Sequence, residues 1–403
     1  MNLLRSSVFR RSMPALWILI LMTSIGPFGD TEYTPSLPAI AHDLHVTYTA
    51  VQQSMTVYLL AYAAMQLLYG PLSDKIGRKP VALWGALLFT AGSFVCYISN
   101  TLDLLLLGRA LQGLGSCAGA IISSAAVRDS FDKDKIDIIY TKINAAFALA
   151  PATGPIVGAI VDDRYGWHAN MFILLILGSL LLVAVLLFFP ETHMPDMRQK
   201  LSPSFLWHNY IKLFAQKDFF PAIFINGIAI GVVYTSLTEG PALVTHTLGL
   251  SSKWIAVVAI GVLVAFTIGS FAGIYLEKRY HSWFIVKFGL LLIVFGAFLL
   301  ALSGYFKIIY LYSTLLPIML SFSGIALVVP NSISIAMIPF KNTAGTASAM
   351  VGFSQMGIAA LSNVGVSLLP FGPIYALAII FSLLAGLGLL IYFLRPRCIS
   401  IFP

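Results

Sequence analysis

Four ionisable residues stand in stretches of this chain that are otherwise apolar: Asp30, Glu32, Glu239 and Arg109. A carboxyl group in a partly dry setting is driven toward its protonated form by desolvation and toward its ionised form by a nearby cation. Movement of water or of a cation therefore switches it between holding and releasing a proton, which is the chemistry these three acids can do. A guanidinium within a lipid-spanning segment is costly unless it is paired or faces a wet cavity. Arg109 lies about seven residues into its apolar run and Asp30 about seven before the end of its own, so both sit roughly 10 Å below one surface and are candidate partners. Asp30 and Glu32 are two residues apart, about 200° around a helix, so they cannot share one cavity wall and one of them is expected to be peripheral. Glu239 reads either as a third proton-bearing acid or as an interfacial carboxylate before a Gly-Pro break.

Enzymatic constellations are not apparent. His42 and Asp43 are consecutive, but no nucleophile recurs beside them. There is no G-x-x-x-x-G-K phosphate loop, so ATP is not the expected energy source. Cys96, Cys117 and Cys398 have no paired spacing, which predicts neither a disulfide nor a metal site. No cofactor is expected, and a proton gradient is the natural driving force.

The elements that must hold these residues follow from composition. The chain is 59% hydrophobic and 10% charged, with a mean hydropathy of +0.90. Between two long apolar runs, Ala50 to Tyr69 and Val81 to Ile98, the segment GPLSDKIGRKP (70–80) crowds acid and base together. Such a cluster cannot lie in hydrocarbon, so the runs are spanning helices and the segment is a loop outside the membrane. At about 20 residues per span, twelve spans begin near residues 14, 50, 80, 102, 137, 170, 218, 253, 284, 308, 343 and 373. The first follows Arg5, Arg10 and Arg11 and reads as a retained helix, since it lacks a small-residue cleavage site. Most Lys and Arg residues fall on the side that holds the N-terminus, and this bias makes both termini cytoplasmic. Arg164, Lys253 and Lys307 fall outside that pattern, and Arg109 is within a span. The net charge of +8 is thus a topology signal and predicts no nucleic-acid partner.

A polar, proline-containing stretch divides the spans six and six, which predicts a six-helix bundle over 1–189, a cytoplasmic linker over 190–217 and a second bundle over 218–403. The halves echo each other. Gly70, Asp74, Lys75 and Arg78 reappear as Gly273, Glu277, Lys278 and Arg279, with an offset of 203 residues from Asp74 to Glu277. Thr31, Glu32 and Pro35 recur as Thr238, Glu239 and Pro241, an offset of 207 from Glu32 to Glu239. Six spans per half make the repeats parallel, with the expected cavity between them.

Four sequence features resemble one known family across nearly the whole chain. GPLSDKIGRKP (70–80) is similar to its signature between helices 2 and 3, LGRALQGLG (107–115) to its Arg-bearing helix 4 signature, and APATGPIVGAI (150–160) to its Gly-Pro antiporter signature of helix 5. YTPSLPAIAHDL (33–44) and NTAGTASAM (342–350) resemble stretches of one branch. On these residues the chain resembles the major facilitator superfamily, specifically its Bcr/CflA-type drug:proton antiporters. The resemblance implies an all-α integral membrane protein of the bacterial inner membrane that exports small drugs or metabolites by alternating access, with no obligatory protein partner. It implies that Gly70, Asp74, Gly77 and Arg78 form a gate loop, echoed by Glu277 and Arg279, that holds the halves together and breaks as they rock. It further implies that Gly154, Pro155 and Gly158 bend the antiporter helix, where close helix packing is the plainer reading.

The sequence departs from the family in four places. The acid of helix 1 more commonly stands where Thr31 is, Glu239 is an additional acid, Ala159 stands where the antiporter signature often has a second Gly, and YGWHANMF (165–172) carries His168 in place of Arg. The polar and aromatic residues within spans, Tyr33, Gln53, Tyr62, Gln66, Asn144, Tyr234, Gln355 and Asn363, are candidates for the cavity lining or for interhelical glue. Opposed acids favour cationic or zwitterionic amphiphiles as substrates. A proton-coupled importer on the same fold and a non-transporting membrane sensor are the competing readings.

Overall fold

The computed structural model describes residues 13–194, 211, 213, 216–340 and 344–395. Cys398, the basic N-terminal residues and most of the expected linker lie outside the described residues. So do Asn342 and Thr343 of the NTAGTASAM stretch.

In hydrocarbon every backbone amide must find its partner within the segment, and a helix does this by itself. The described chain accordingly runs through α1 (Leu16–Thr31), a 3-10 turn (Thr34–Ser36), α2 (Leu37–Asp43), α3 (Tyr48–Ile76), α4 (Arg78–Tyr97), α5 (Leu102–Ser130), α6 (Lys133–Tyr165) and α7 (Trp167–Phe188). It continues through α8 (Phe219–Ala242), α9 (Lys253–Glu277), α10 (Ser282–Tyr305), α11 (Leu311–Met337), α12 (Ala344–Ser367) and α13 (Pro373–Leu394). Among the described residues there is no strand. Among the described residues, eleven helices are long and apolar enough to cross a membrane. At 16 residues α1 is too short to do so alone, and the 3-10 turn and α2 extend it, so the twelve expected spans have their counterparts.

Two faces result. Lys75, Arg78, Lys79, Arg128, Lys278, Arg279, Lys287 and Arg395 lie toward one, called here the basic side. The end of α1 and the starts of α3 and α9 lie toward the other, the far side. One apolar core gathers Ile18, Met55, Phe89, Ile122, Met171 and Phe189, and another gathers Phe219, Leu290, Ile325 and Phe381. Across the gap α3 packs on α12 and α6 packs on α9.

The GPLSDKIGRKP segment is more helical than expected. Helix α3 runs through Gly70 and Pro71 to Ile76, and α4 begins at Arg78. Gly77 alone breaks the chain direction, at φ 108° and ψ 160°, a region essentially restricted to glycine. The YGWHANMF stretch is likewise mostly helix, since α7 starts at Trp167 directly after Gly166.

Candidate functional site

Where α1 ends, its last residues meet α8 from the opposite bundle. Asp30 is buried and accepts a hydrogen bond from the Tyr234 hydroxyl. Close by, the Gln52 amide donates to Glu239 Oε1 and the Tyr48 hydroxyl donates to the Thr238 carbonyl oxygen. Thr238 is itself fixed by a side-chain hydrogen bond to Asn363 Oδ1, at 3.2 Å. Lys253 Nζ lies 3.3 Å from Asp163 and ties the end of α6 to the start of α9. The Tyr48 and His246 rings stand 6.1 Å apart, and Ala159, Val244 and Ile255 form a small apolar plug beside them. These links join the two bundles toward the far side, so that side is shut.

Gln52, and not the cavity candidate Gln53, makes the cross-bundle bond. Gln53 is exposed on the other face of α3. The helical phase that separates the two residues is set by what packs around α3.

Arg109 is fully buried in α5, yet it does not pair with Asp30. Its Nη1 donates to the Gln112 side-chain oxygen at 2.7 Å and to the Gly29 carbonyl at 3.2 Å. The guanidinium is sandwiched between the rings of Tyr33 and Tyr58, 4.0 and 4.2 Å from its carbon. Both rings are held in place, Tyr33 by Ser54 at 3.1 Å and Tyr58 by Ser116 at 2.8 Å. Gln112 in turn donates to Ser93 at 2.8 Å. Stacking on aromatic faces is the alternative to an ion pair for holding a desolvated guanidinium. Its Nε and Nη2 have no hydrogen-bond partner among the described residues.

The expectation that one of Asp30 and Glu32 is peripheral does not hold. They do point apart, but α1 is covered on both sides. Asp30 faces α8, whereas Glu32, at 0% exposure, is enclosed where α1 packs on α6, and neither of its carboxylate oxygens has a donor among the described residues. The small residues of α6 permit this. A Cβ on Gly158 would collide with the Glu32 carbonyl oxygen, and one on Gly154 with Thr31 Oγ1. Pro155 lies between them within the helix. Because α6 runs on to Tyr165, it also brings in Asp162, an acid beyond the three expected, whose Oδ1 is buried without a partner.

On the basic side, Arg78 is 7% exposed and joins the ends of three helices. It donates to Asp74 one turn back at 2.5 Å and to Asp129 at the end of α5 at 2.9 Å, and it also reaches Ser73. Glu191, just beyond α7, accepts from the backbone amides of Arg78 and Lys79 at 2.9 and 3.3 Å. Sequence reasoning missed Asp129 and Glu191, because nothing local marks a partner 51 or 113 residues away. The echo in the second bundle is thinner: Glu277 accepts from Asn331 at 3.1 Å, and the Arg279 guanidinium lies 5.4 Å from the Tyr275 ring centre.

The remaining cavity candidates scatter. Tyr62 is buried beside Tyr58, with ring centres 6.2 Å apart, and Gln66 is buried against Gly352 of α12. Gln355 is half-buried and donates to Asn226 at 2.8 Å. Asn144 is exposed on α6. The structure therefore brings Asp30, Tyr33, Arg109 and Tyr234 together, sets Glu239 beside them at the shut side, and leaves Gln53 and Asn144 away from that cluster.

Comparisons with known proteins agree with this architecture. A family model described as Major Facilitator Superfamily matches residues 16–363. The chain is 29% identical over 349 residues to multidrug resistance protein D of Escherichia coli (strain K12), which covers 86% of each protein. It is 32% identical over 222 residues to a bicyclomycin resistance protein homolog of Haemophilus influenzae, covering 55% of each. A crystal structure of the peptide transporter POT in complex with sulfate superposes with a TM-score of 0.75 at 14% identity, over 95% of both chains.

Proposed function

The chain belongs to the Major Facilitator Superfamily, and from that premise we propose that it exports small amphiphilic compounds in exchange for protons, with the basic side facing the cytoplasm of a bacterial cell. The observation that carries the reading is the position of the acids. Asp30 and Glu239 are both buried at the seam between the bundles, and each is bonded across that seam by a neutral donor, Tyr234 or Gln52. Opening the far side must break both bonds and admit water to both carboxyls. Access from that side and protonation are therefore coupled through the same atoms.

Arg109 sets the charge balance of this cluster. Fixed by Tyr33, Tyr58 and Gln112, it is a stationary cation next to a carboxyl that changes charge, and a cationic substrate would compete with it for that carboxyl. Direction of transport is supported by the relatives, which are described as multidrug and bicyclomycin resistance proteins. Glu32 and Asp162 are further places where a proton could reside. The Arg78 cluster, whose bonds run within the first bundle and not between the halves, acts as a clasp of that bundle on the basic side, and Gly154, Pro155 and Gly158 let α6 ride against the end of α1. One chain encloses the whole path, so a monomer suffices.

The test is proton movement in liposomes loaded with a pH dye and challenged with bicyclomycin and a panel of lipophilic cations and zwitterions. Substrate-evoked counterflow of protons that is lost in Asp30→Asn is the expected result. Proton entry in the same direction as substrate would replace export with symport, and no response to any compound would sink both.

A further inference from the structure

The two bundles finish the groove between their third and sixth spans in different ways. In the first bundle the groove lies between α4 and α7, which pack together. Glu191, just past the end of α7, turns back and receives the first two backbone amides of α4. The first bundle thus supplies its own anion to the positive end of that helix.

The equivalent seam in the second bundle lies between α10 and α13, which also pack together. Here the residue just past α13 is Arg395, and no side chain caps the start of α10. The Arg395 guanidinium is fixed 4.1 Å from the Trp283 ring centre and 3.9 Å from that of Tyr392, and its Nη1 is buried with no hydrogen-bond partner among the described residues. Lys287 stands one turn further along α10 on the same face as Trp283, its Nζ 5.7 Å from the Phe393 ring centre. Neither cation has a carboxylate within ion-pair distance among the described residues. The nearest acid by position, Glu277 at the end of α9, is turned to Asn331 of α11.

That seam therefore holds two cations and an uncapped helix start, where its counterpart sets a carboxylate, Glu191, beside the one lysine, Lys79, which is bonded to the Leu186 carbonyl of α7. We propose that it binds the phosphate of an anionic phospholipid, held by Arg395, Lys287 and the first amides of α10. A lipid is the occupant because of where the seam opens. Tyr280 and Phe284, stacked at 4.7 Å, are exposed beside it, and aromatic residues of this kind mark the level of the headgroups. Lys287 lies roughly 6 Å deeper than Trp283, so its ammonium has to reach back along the helix to the headgroup level, where it meets a lipid phosphate and not a solute in bulk water.

The experiment reads the quenching of Trp283 by brominated lipids in nanodiscs, taken as wild type minus Trp283→Phe because the chain has six tryptophans. Brominated phosphatidylglycerol is compared with brominated phosphatidylcholine. Each basic residue near a membrane surface adds about 1 kcal/mol to the binding of anionic lipid, or about fivefold. The anionic lipid should therefore quench at a several-fold lower mole fraction in the native protein, and high salt should weaken that preference. Arg395→Gln and Lys287→Gln should each reduce it about fivefold, and Lys287→Arg should retain it. Equal quenching by the two lipids in the native protein would overturn the proposal, as would a preference that survives in the double glutamine variant. Loss of the preference on adding inorganic phosphate, beyond that caused by chloride at the same ionic strength, would overturn it too, since the site would then belong to free phosphate. The native-protein comparison decides the matter even where a variant does not fold.

Discussion

Asp30 and Tyr234 lie 204 residues apart in sequence, yet the phenol of one donates a buried hydrogen bond to the carboxylate of the other across the seam between α1 and α8. On the proposed mechanism this bond is made while the far side is shut and broken when it opens. Leaving the buried Asp30 carboxyl without its donor costs about 1–3 kcal/mol, so Tyr234→Phe should raise the ratio of far-side-open to far-side-shut molecules by about fivefold or more. Spin labels at His42→Cys and Ser251→Cys, both exposed on that side, read this as a distance distribution, with the native cysteines replaced by serine. Unchanged distances would mean the bond does not hold the seam.

Gln52 and Gln53 give a sharp contrast between neighbours. Gln52→Ala leaves Glu239 without its donor in a buried place, which costs about 1–3 kcal/mol in the shut form. Gln53→Ala, on the exposed face, should stay within about 0.5 kcal/mol of the native protein. Thermal unfolding together with the same label distances distinguishes the two, and equal effects would contradict the orientation of α3.

Gly77 and Gly70 should also behave differently, although both belong to the same sequence signature. Gly77→Ala forces a side chain into a backbone region that costs about 1–3 kcal/mol. A Cβ on Gly70 would meet no atom within 4 Å, so Gly70→Ala should not lower the unfolding temperature. A loss of transport without a loss of stability in Gly70→Ala would indicate that this helix face packs closely in the opposite conformation.

Asp129, which lies 22% exposed against Arg78, should matter more to stability than Asp74, which is 42% exposed. Exposed ion pairs are worth about 0–1 kcal/mol. Removing one partner of a mostly buried guanidinium costs more, because the cation is left short of bonds. Asp129→Asn should therefore lower the unfolding temperature further than Asp74→Asn, and the reverse order would show that Asp74 is the main anchor of Arg78.

Much of the architecture was legible because lipid imposes it. Apolar run length gave the spans, and the crowding of charge at residues 70–80 gave their separation. What the sequence could not supply was the rotation of each helix. In a soluble helix the apolar stripe marks the buried face, but in α3 the polar residues Gln52, Gln53, Ser54 and Thr56 are spread around the helix, so Gln52 and Gln53 look alike. The same blindness affected Asp30 and Glu32. Their angular separation is legible from the spacing, but a peripheral place for one of them requires α1 to have an outer face, whereas α6 and α8 cover it from both sides. Arg109 was legible as a buried cation, while its aromatic sandwich was not, because Tyr33 and Tyr58 reach it from two different helices. Asp129 and Glu191 were invisible for a simpler reason, since their partners lie far along the chain.

The Glu191 contact has a practical consequence for dissection of the protein. The start of the connector between the bundles is bonded to the first turn of α4 and belongs mechanically to the first bundle. Two co-expressed fragments divided after His193 would keep that bond within one piece. A division at Phe189 would strip α4 of its cap and leave Arg78 to hold three helix ends unaided, so complementation should succeed with the later cut and falter with the earlier one, even though only a few residues separate them.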